Sequence, residues 1–336
     1  MSSPLVSVII PVHNVEKYIG TCLQSMICQT YSDMEFWIVD DACTDNTMNT
    51  IAQFQDPRIQ ILHNQTNLGL AASINKAIRQ SNGKYIARMD GDDISQPTRI
   101  EKQVQFLEQH SDVSIVGTAM QSFGHSNYLH NFPDAHDACK ARLLFNVCFG
   151  HPTVLIRKSI FDNNKNYYKE ELRQYSEEYE LWCRLVDQFQ FANLKEALVM
   201  YRTFPPLSKQ EAEVRRRENS FIIRSNFIRT QLGEQSECDY HNHDLVCNLN
   251  QGNVREVEEW MGWLRNIANL NLEYKAFDVI ALRKELSKRC FELRYRNKQL
   301  GIQNMWNWYT EKDGLGDYSP SWQQHVKFIL RSLLKV

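Results

Sequence analysis

The chain has 336 residues, 43% of them hydrophobic, and a formal net charge of −2. That length supports one large domain or two moderate ones with a real core, and the near-zero charge removes any global electrostatic case for a nucleic-acid partner. We read no signal peptide and no run of about 18 apolar residues able to span a bilayer, and nine scattered cysteines, an odd number, suggest reduced thiols in a cytosolic protein rather than a disulfide framework.

The first hundred residues alternate strand and helix signals. Leu5 to Ile10 is a continuous apolar run closed by Pro11, as expected of a strand buried on both faces. Tyr18, Ile19, Cys22, Leu23 and Met26 then recur at helical spacing. A second strand, Phe36 to Val39, ends at Asp40-Asp41, and Thr44 is the expected N-cap of a helix running toward Phe54. Ile59 to Leu62 reads as a third strand. Asn67-Leu68-Gly69 punctuates the chain before a helix carrying Leu70, Ile74, Ala77 and Ile78. A fourth strand, Tyr85 to Met89, runs into Asp90-Gly91-Asp92-Asp93. Strands spaced by such helices imply parallel β-α-β units in a doubly wound sheet, where ligands bind beyond the carboxyl ends of the strands. Pro11 to Asn14, Asp40-Asp41 and the Asp90 cluster all fall there. They should form one site.

Later segments are mixed. Val113 to Val116 and His151 to Ile156 look like strands, and Glu178 to Val186 like a short helix. From 206 onward the pattern is helical. Ser208 to Leu232 carries Val214, Phe221, Ser225, Ile228 and Leu232 at three-four spacing and stops at Gly233. A second stripe is Val254, Val257, Met261, Leu264 and Ala268, and a third Leu286, Cys290, Leu293 and Leu300. The expected organisation is therefore residues 1–115 and 116–205 as two halves of one α/β domain, followed by a helical appendage over 206–336.

The acidic tetrapeptide carries the chemistry. Close carboxylates repel by roughly 4 kcal/mol per pair at an effective dielectric near 20, so a chain keeps such a cluster where a cation neutralises it. Oxygen-only ligands suit Mg²⁺ or Mn²⁺, which commonly bridge to substrate phosphates. A bare acidic loop is the alternative reading. Cys238, His241, His243 and Cys247 match no standard zinc spacing.

With these residues in place, the chain resembles the family 2 glycosyltransferases over roughly residues 4 to 205. The likeness runs through Val6 to Asn14, Gln29-Thr30-Tyr31, Val39-Asp40-Asp41, Asn67 to Leu70 and Asn75 to Ile78. It continues with Gly83 to Asp93, Pro97, Arg99, His151-Pro152-Thr153, Glu177 to Trp182 and Tyr201-Arg202. The order and spacing of these pieces make the resemblance specific.

The resemblance implies a GT-A fold, Rossmann-like and mostly parallel with helices on both faces, and an inverting, metal-dependent transferase of bacterial surface-polysaccharide type, as in capsule or lipopolysaccharide assembly. It implies a nucleotide-sugar donor, UDP-linked by expectation, whose base and ribose would meet Pro11, His13, Asn14, Glu16 and Asp41, with Asn67 and Gly69 nearby. A carboxylate can accept from a uracil N–H or ribose hydroxyls, and an imidazole can stack on a base. Asp90, Asp92 and Arg88 would face the diphosphate, with Mn²⁺ or Mg²⁺ on Asp92 and Asp93. Arg88 and Arg99 would pair with carboxylates or phosphates, or serve as structural ion pairs. Glu178 takes the position where the family usually has an aspartate general base, with Glu177 and Trp182 on the acceptor side. Trp182 reads equally as core. His151 would touch donor phosphate or acceptor. The Tyr-Arg segment lacks the family's following histidine, so no ligand is expected there. The acceptor would be a glycan or lipid-linked oligosaccharide, and the product a β-linkage. A sugar-nucleotide nucleotidyltransferase is the competing enzyme class, disfavoured by the glycine-free loop after the first strand, and an inactive GT-A-like binding protein is the competing non-enzyme.

The tail lies outside the resemblance. Lys275 to Lys298 holds eight basic residues against three acids, and Phe328, Ile329, Leu330, Leu333 and Leu334 interleave with Lys327, Arg331 and Lys335, with Trp306, Trp308 and Trp322 before them. Such helices can rest on an anionic membrane, which would place a cytoplasmic enzyme at the inner face of the cell membrane. A solvated bundle and a homodimer interface are the other readings.

Overall fold

The computed structural model describes residues 6–162, 165–172, 175–205, 210–297, 301 and 318–334. The chain separates into two compact units, Met1–Cys139 with Val147–Ser220, and Lys140–Asn146 with Phe221–Val336. Among the described residues one mixed nine-stranded sheet lies in the first unit. Its parallel part comprises β1 (Val6–Val12), β2 (Met34–Asp40), β3 (Ile59–His63) and β4 (Tyr85–Arg88), in the spatial order β3-β2-β1-β4. Every residue of β1 is buried. That explains its unbroken apolar sequence, since each fully buried Val or Ile contributes about 1.5–3 kcal/mol of transfer free energy. Val12 pairs with Asp40, and Asp40 with His63, so three strands end in line.

The rest of the sheet is β5 (Ile94–Ser95), β6 (Val113–Gly124), β7 (Leu129–His130), β8 (Leu155–Arg157) and β9 (Gln190–Thr203). β8 runs antiparallel to β4 and β6, β9 parallel to β6, and β5 antiparallel to β9. The helices α1 (Ile19–Ile27), α2 (Thr47–Ile51), α3 (Leu70–Gln80), α4 (Arg99–Gln109), α5 (His136–Leu143) and α6 (Glu177–Leu185) connect them. Ile19, Cys22, Leu23 and Met26 of α1 are buried on the helical face their spacing predicted.

Several sequence expectations shift. β6 is one strand of twelve residues rather than a short run, so it passes through position 115/116 without a break. The segment expected as a strand from His151 begins instead with a 3₁₀ turn, His151–Thr153, closed by bonds from Thr153 N and Oγ1 to the Gly150 carbonyl. Thr44 caps no helix. Its N–H donates to Asn14 Oδ1 at 2.8 Å, and α2 starts only at Thr47.

The second unit is helical. The helix α7 (Gln210–Leu232), which belongs to it from Phe221 onward, ends at Gly233, whose φ of +77° and closeness to the Tyr274 ring leave no room for a Cβ. Beyond it come α8 (Glu237–Cys247), α9 (Val254–Tyr274), α10 (Val279–Arg296) and α11 (Trp322–Leu334). Asn253 and Glu256 form a reciprocal capping box at the start of α9. Val257, Met261 and Leu264, and likewise Leu286, Cys290 and Leu293, are buried, whereas Val214 and Val254 are exposed. Leu300, Trp306, Trp308, Lys298 and Lys335 lie outside the described residues. Trp263 Nε1 donates to His243 Nδ1 at 3.1 Å, and His243 Nε2 donates to the Leu144 carbonyl at 2.7 Å. Both ring nitrogens are thus spent on structure, and burial holds this imidazole neutral, its pKa near 3.

Candidate active site

The acidic turn follows β4 directly. Gly91 packs against the end of β1, where a Cβ would lie 3.1 Å from Val12 Cγ1. Asp90 is half-buried, and its Oδ1 accepts from Arg88 Nη2 at 2.6 Å. Arg88 itself is only 2% exposed, and its Nε and Nη1 make no hydrogen bond among the described residues. Asp92 is half-buried. Asp93 is 1% exposed. Its Oδ1 accepts from the Arg202 N–H at 2.7 Å, while Oδ2 is buried with no hydrogen-bond partner there. Burial, reinforced by the charges of Asp90 and Asp92, pushes the Asp93 carboxyl up to about 9. Arg202 also donates from Nε to the Asp92 carbonyl at 2.8 Å, with its guanidinium 4.4 Å from the ring centres of Tyr18 and Phe123. Arg99 pairs with none of these carboxylates. It donates to the Arg88 carbonyl at 2.8 Å and to Gln103 at 3.1 Å, so it braces the strand end.

This donor set fits a hard divalent cation. It consists of carboxylate oxygens only, and one buried oxygen lacks a partner on a group that carries charge at high cost.

The loops after β1 and β2 are laced together. His13 Nδ1 lies 2.8 Å from the Asp41 carbonyl, and Glu16 Oε2 accepts from the Asn46 N–H at 2.9 Å. Glu16 N–H in turn donates to Asp45 Oδ2 at 3.1 Å. Asn14, at φ +54°, holds the Thr44 amide. The His13 and Asn14 side chains are exposed, while Pro11 is buried within β1. Asp41 is buried, and its carboxylate accepts from Asn64 Nδ2, Leu68 N–H and Gly69 N–H at 2.8–2.9 Å. Three of its roughly four acceptor sites are therefore occupied by the 64–69 loop. Gly69, at φ +90°, opens α3, and Asn67 is exposed.

The third element is the start of α6. Glu177 is 2% exposed with Oε2 unpartnered among the described residues, and Glu178 is half-buried. His151 presents Nδ1 at 3.7 Å from Glu177 Oε1 and Nε2 at 3.0 Å from the Tyr168 hydroxyl. His151, Glu177 and Glu178 offer ligand atoms within 4.8 Å of one another. Burial and then Glu178 push Glu177 well above the carboxylate range, and burial raises Glu178. Burial and then Arg88 hold His151 well below its ordinary value, so it is neutral. Asp90 and Arg88 act electrostatically on both glutamates. The acidic turn and the α6 start thus share one field.

Trp182 is elsewhere. It is fully buried, edge-on to Phe149, His151 and Phe191, and backs the histidine instead of facing an open pocket. Sequence reasoning passed over three residues that the structure brings in. Arg202 clamps the acidic turn, Tyr168 meets His151, and Asn75 grips Tyr168 through reciprocal bonds of 2.9 and 3.0 Å to its carbonyl and N–H. Asn75 and Arg202 both lay within segments that carried the resemblance.

A family model described as Glycosyl transferase family 2 matches residues 7–180. The putative glycosyltransferase EpsE of Bacillus subtilis is 33% identical over 231 residues, 66% of this chain and 81% of its own. The O-antigen biosynthesis glycosyltransferase WbnJ of Escherichia coli is 28% identical over 246 residues, 70% of this chain and 94% of that one. Among solved structures, S. aureus TarS 1–349 in complex with UDP-GlcNAc aligns with a TM-score of 0.59 at 18% identity, covering 94% of this chain and 93% of that chain. At that identity the likeness is one of fold.

Proposed function

The chain belongs to glycosyl transferase family 2, and from that premise we propose that it moves a sugar from a nucleoside-diphosphate donor, UDP-linked by preference, to a hydroxyl of a glycan or lipid-linked glycan in polysaccharide assembly. The observation that carries this reading is a pair of acidic groups built at buried positions: the Asp90–Asp93 turn, where Asp93 keeps an unpartnered buried oxygen among the described residues, and the Glu177-Glu178 start of α6. One end can hold a charged leaving group and the other can take a proton.

The chemistry is a single in-line displacement. Glu178 accepts the proton of the acceptor hydroxyl, whose oxygen attacks the anomeric carbon as the bond to the diphosphate breaks. Configuration inverts, giving a β-linkage from an α-linked donor. Burial raises the Glu178 carboxyl toward working pH, which makes it a better general base than an exposed glutamate. Arg88, buried beside the turn, places a fixed positive charge near the departing phosphates. Asp92 and Asp93 would hold Mn²⁺ or Mg²⁺, which when bound supplies Lewis-acid stabilisation of the diphosphate. On the donor side, the exposed His13 and Asn14 are the loop side chains best placed for the base and ribose.

A panel of UDP-sugars, UDP-GlcNAc among them, tests the reading by thermal stabilisation with and without Mn²⁺. The true donor at 100 times its dissociation constant adds about 2.7 kcal/mol, and acceptor-dependent UDP release follows. No stabilisation by any sugar nucleotide, together with undiminished turnover in Asp93→Ala, would overturn it.

We assign the second unit's α11 to peripheral contact with an anionic lipid surface, at the inner face of the cell membrane. Trp322, Ile329, Leu330 and Leu333 are exposed on a helix that also carries Lys327 and Arg331. No helix among the described residues is long and apolar enough to cross a membrane. Co-sedimentation with phosphatidylglycerol vesicles should be lost on deleting residues 322–336; unchanged binding removes the assignment, and a dimer-to-monomer change would transfer that face to a homodimer.

A further inference from the structure

Beyond the base itself, the first unit contains a line that no part of the displacement uses: Asn75 on α3, Tyr168 and His151 are joined by hydrogen bonds, and His151 lies close to Glu177. Asn75 holds Tyr168 by both backbone groups, at 2.9 and 3.0 Å. Tyr168 is 4% exposed, and its hydroxyl meets His151 Nε2 at 3.0 Å. The imidazole stands at a near right angle to the Trp182 ring, with ring centres 6.4 Å apart, and its Nδ1 lies 3.7 Å from Glu177 Oε1.

We propose that Tyr168 and His151 are positioning residues for the glutamate pair: the Tyr168 O–H donates to His151 Nε2, fixing the imidazole as its Nδ1–H tautomer with that N–H aimed at Glu177. This rests on the proposed role of Glu178 and adds its support.

Burial holds the phenol protonated, so its hydroxyl has a proton to give. A neutral imidazole carries one N–H and one bare nitrogen. If Nε2 accepts from the phenol, the N–H is at Nδ1 and faces the carbonyl-type oxygen of a protonated Glu177. The remaining Glu177 oxygen, Oε2, is the unpartnered one, and Glu178 lies within reach. Glu177 then serves as a neutral acid beside Glu178, and Glu178 alone ionises to act on the acceptor. The groups facing this line are Arg88 and Asp90 at the end of β4, Glu178 on α6 and Arg216 on α7. Of these, Arg88 disfavours a charged His151, and a doubly protonated ring would have no bare nitrogen, so the Tyr168 hydroxyl could then only accept.

The test is a long-range ¹H–¹⁵N spectrum of protein labelled at histidine, with the His151 signals identified by subtraction of His151→Gln. We expect the Nδ1–H tautomer across pH 6 to 8 in the wild type. In Tyr168→Phe the Nε2–H form should appear, and UDP-sugar turnover should fall by up to about 100-fold with donor KM unchanged and the acid limb of its pH profile displaced. Asn75→Ala, which frees the Tyr168 backbone, should produce the same tautomer mixture if the phenylalanine variant does not fold. An Nε2–H tautomer in the wild type overturns the proposal, as does a Tyr168→Phe protein with unaltered His151 signals and pH profile. The spectrum needs no turnover, so a protein that processes no sugar nucleotide would sink the functional reading while this result stood by itself.

Discussion

Two buried glutamates, one in each unit, have opposite fates. Glu177 in the first unit is pushed up, by burial and then by the neighbouring Glu178. Glu285 in the second unit faces the same burial, but Arg142, Arg289 and Lys288 more than reverse it, and its carboxyl is held below the ordinary value. Arg142 Nη1 donates to Glu285 at 3.0 Å, and Arg289 Nε lies 3.6 Å away. Asp93 follows the Glu177 pattern, with a buried oxygen lacking a hydrogen-bond partner among the described residues. His243 follows the Glu285 pattern, with both nitrogens engaged. Buried charge that is paired stabilises a fold at modest net value. Buried charge kept among like charges marks a place prepared for a ligand.

The contrast can be broken most decisively at the proposed base. Glu178→Gln should cut turnover by about 10²–10⁴ while leaving the melting temperature at or above that of the wild type, because an ill-solvated carboxyl is gone. A collapse in stability instead would place Glu178 with the structural charges. Glu285→Ala should do the reverse. It strands Arg142 and Arg289 in the second unit, costing about 3–5 kcal/mol in denaturant unfolding.

Asp93 sharpens the comparison by pH. Its folded-state value, about 9, lies above the ordinary carboxylate value of 3.8. The folded state therefore binds the extra proton, and this contribution to stability is complete below pH 4 and lost as pH rises through 9. The slope reaches at most about 1.4 kcal/mol per pH unit for one proton. Protein stripped of divalent ions should show that loss in urea midpoints, and Asp93→Asn should flatten it. A wild-type curve rising from pH 5 to 9 at this site's expense would contradict the burial argument. The smallest effect belongs to an ordinary polar device: Asn253→Ala, which opens the α9 capping box, should cost about 1 kcal/mol without touching donor binding.

Much of the first unit was readable from local pattern. β1 announced itself because a parallel strand buried on both faces needs apolar residues throughout, and the acidic turn stood out because three carboxylates follow one strand. Glu178 needed the resemblance, since a glutamate at a helix start is ordinary by itself. What escaped depended on distant partners. Asn75 meets Tyr168 across 93 residues, and Arg202 meets Asp93 across 109, with no local periodicity to report either. Trp182 shows the same limit, because the aromatic walls that bury it come from Phe149 and Phe191 on other segments. The Thr44 cap failed for a related reason: its amide was claimed by Asn14, thirty residues earlier.

The grip of Asp41 on the 64–69 loop has an evolutionary consequence. Two of its three bonds run to main-chain amides, those of Leu68 and Gly69, and the side chains of Gln65, Thr66, Asn67 and Leu68 all point to solvent. Natural variation or directed randomisation at those four positions can retune what the rim of the site welcomes without loosening the loop, whereas replacing Asp41 would unfasten every such variant at once.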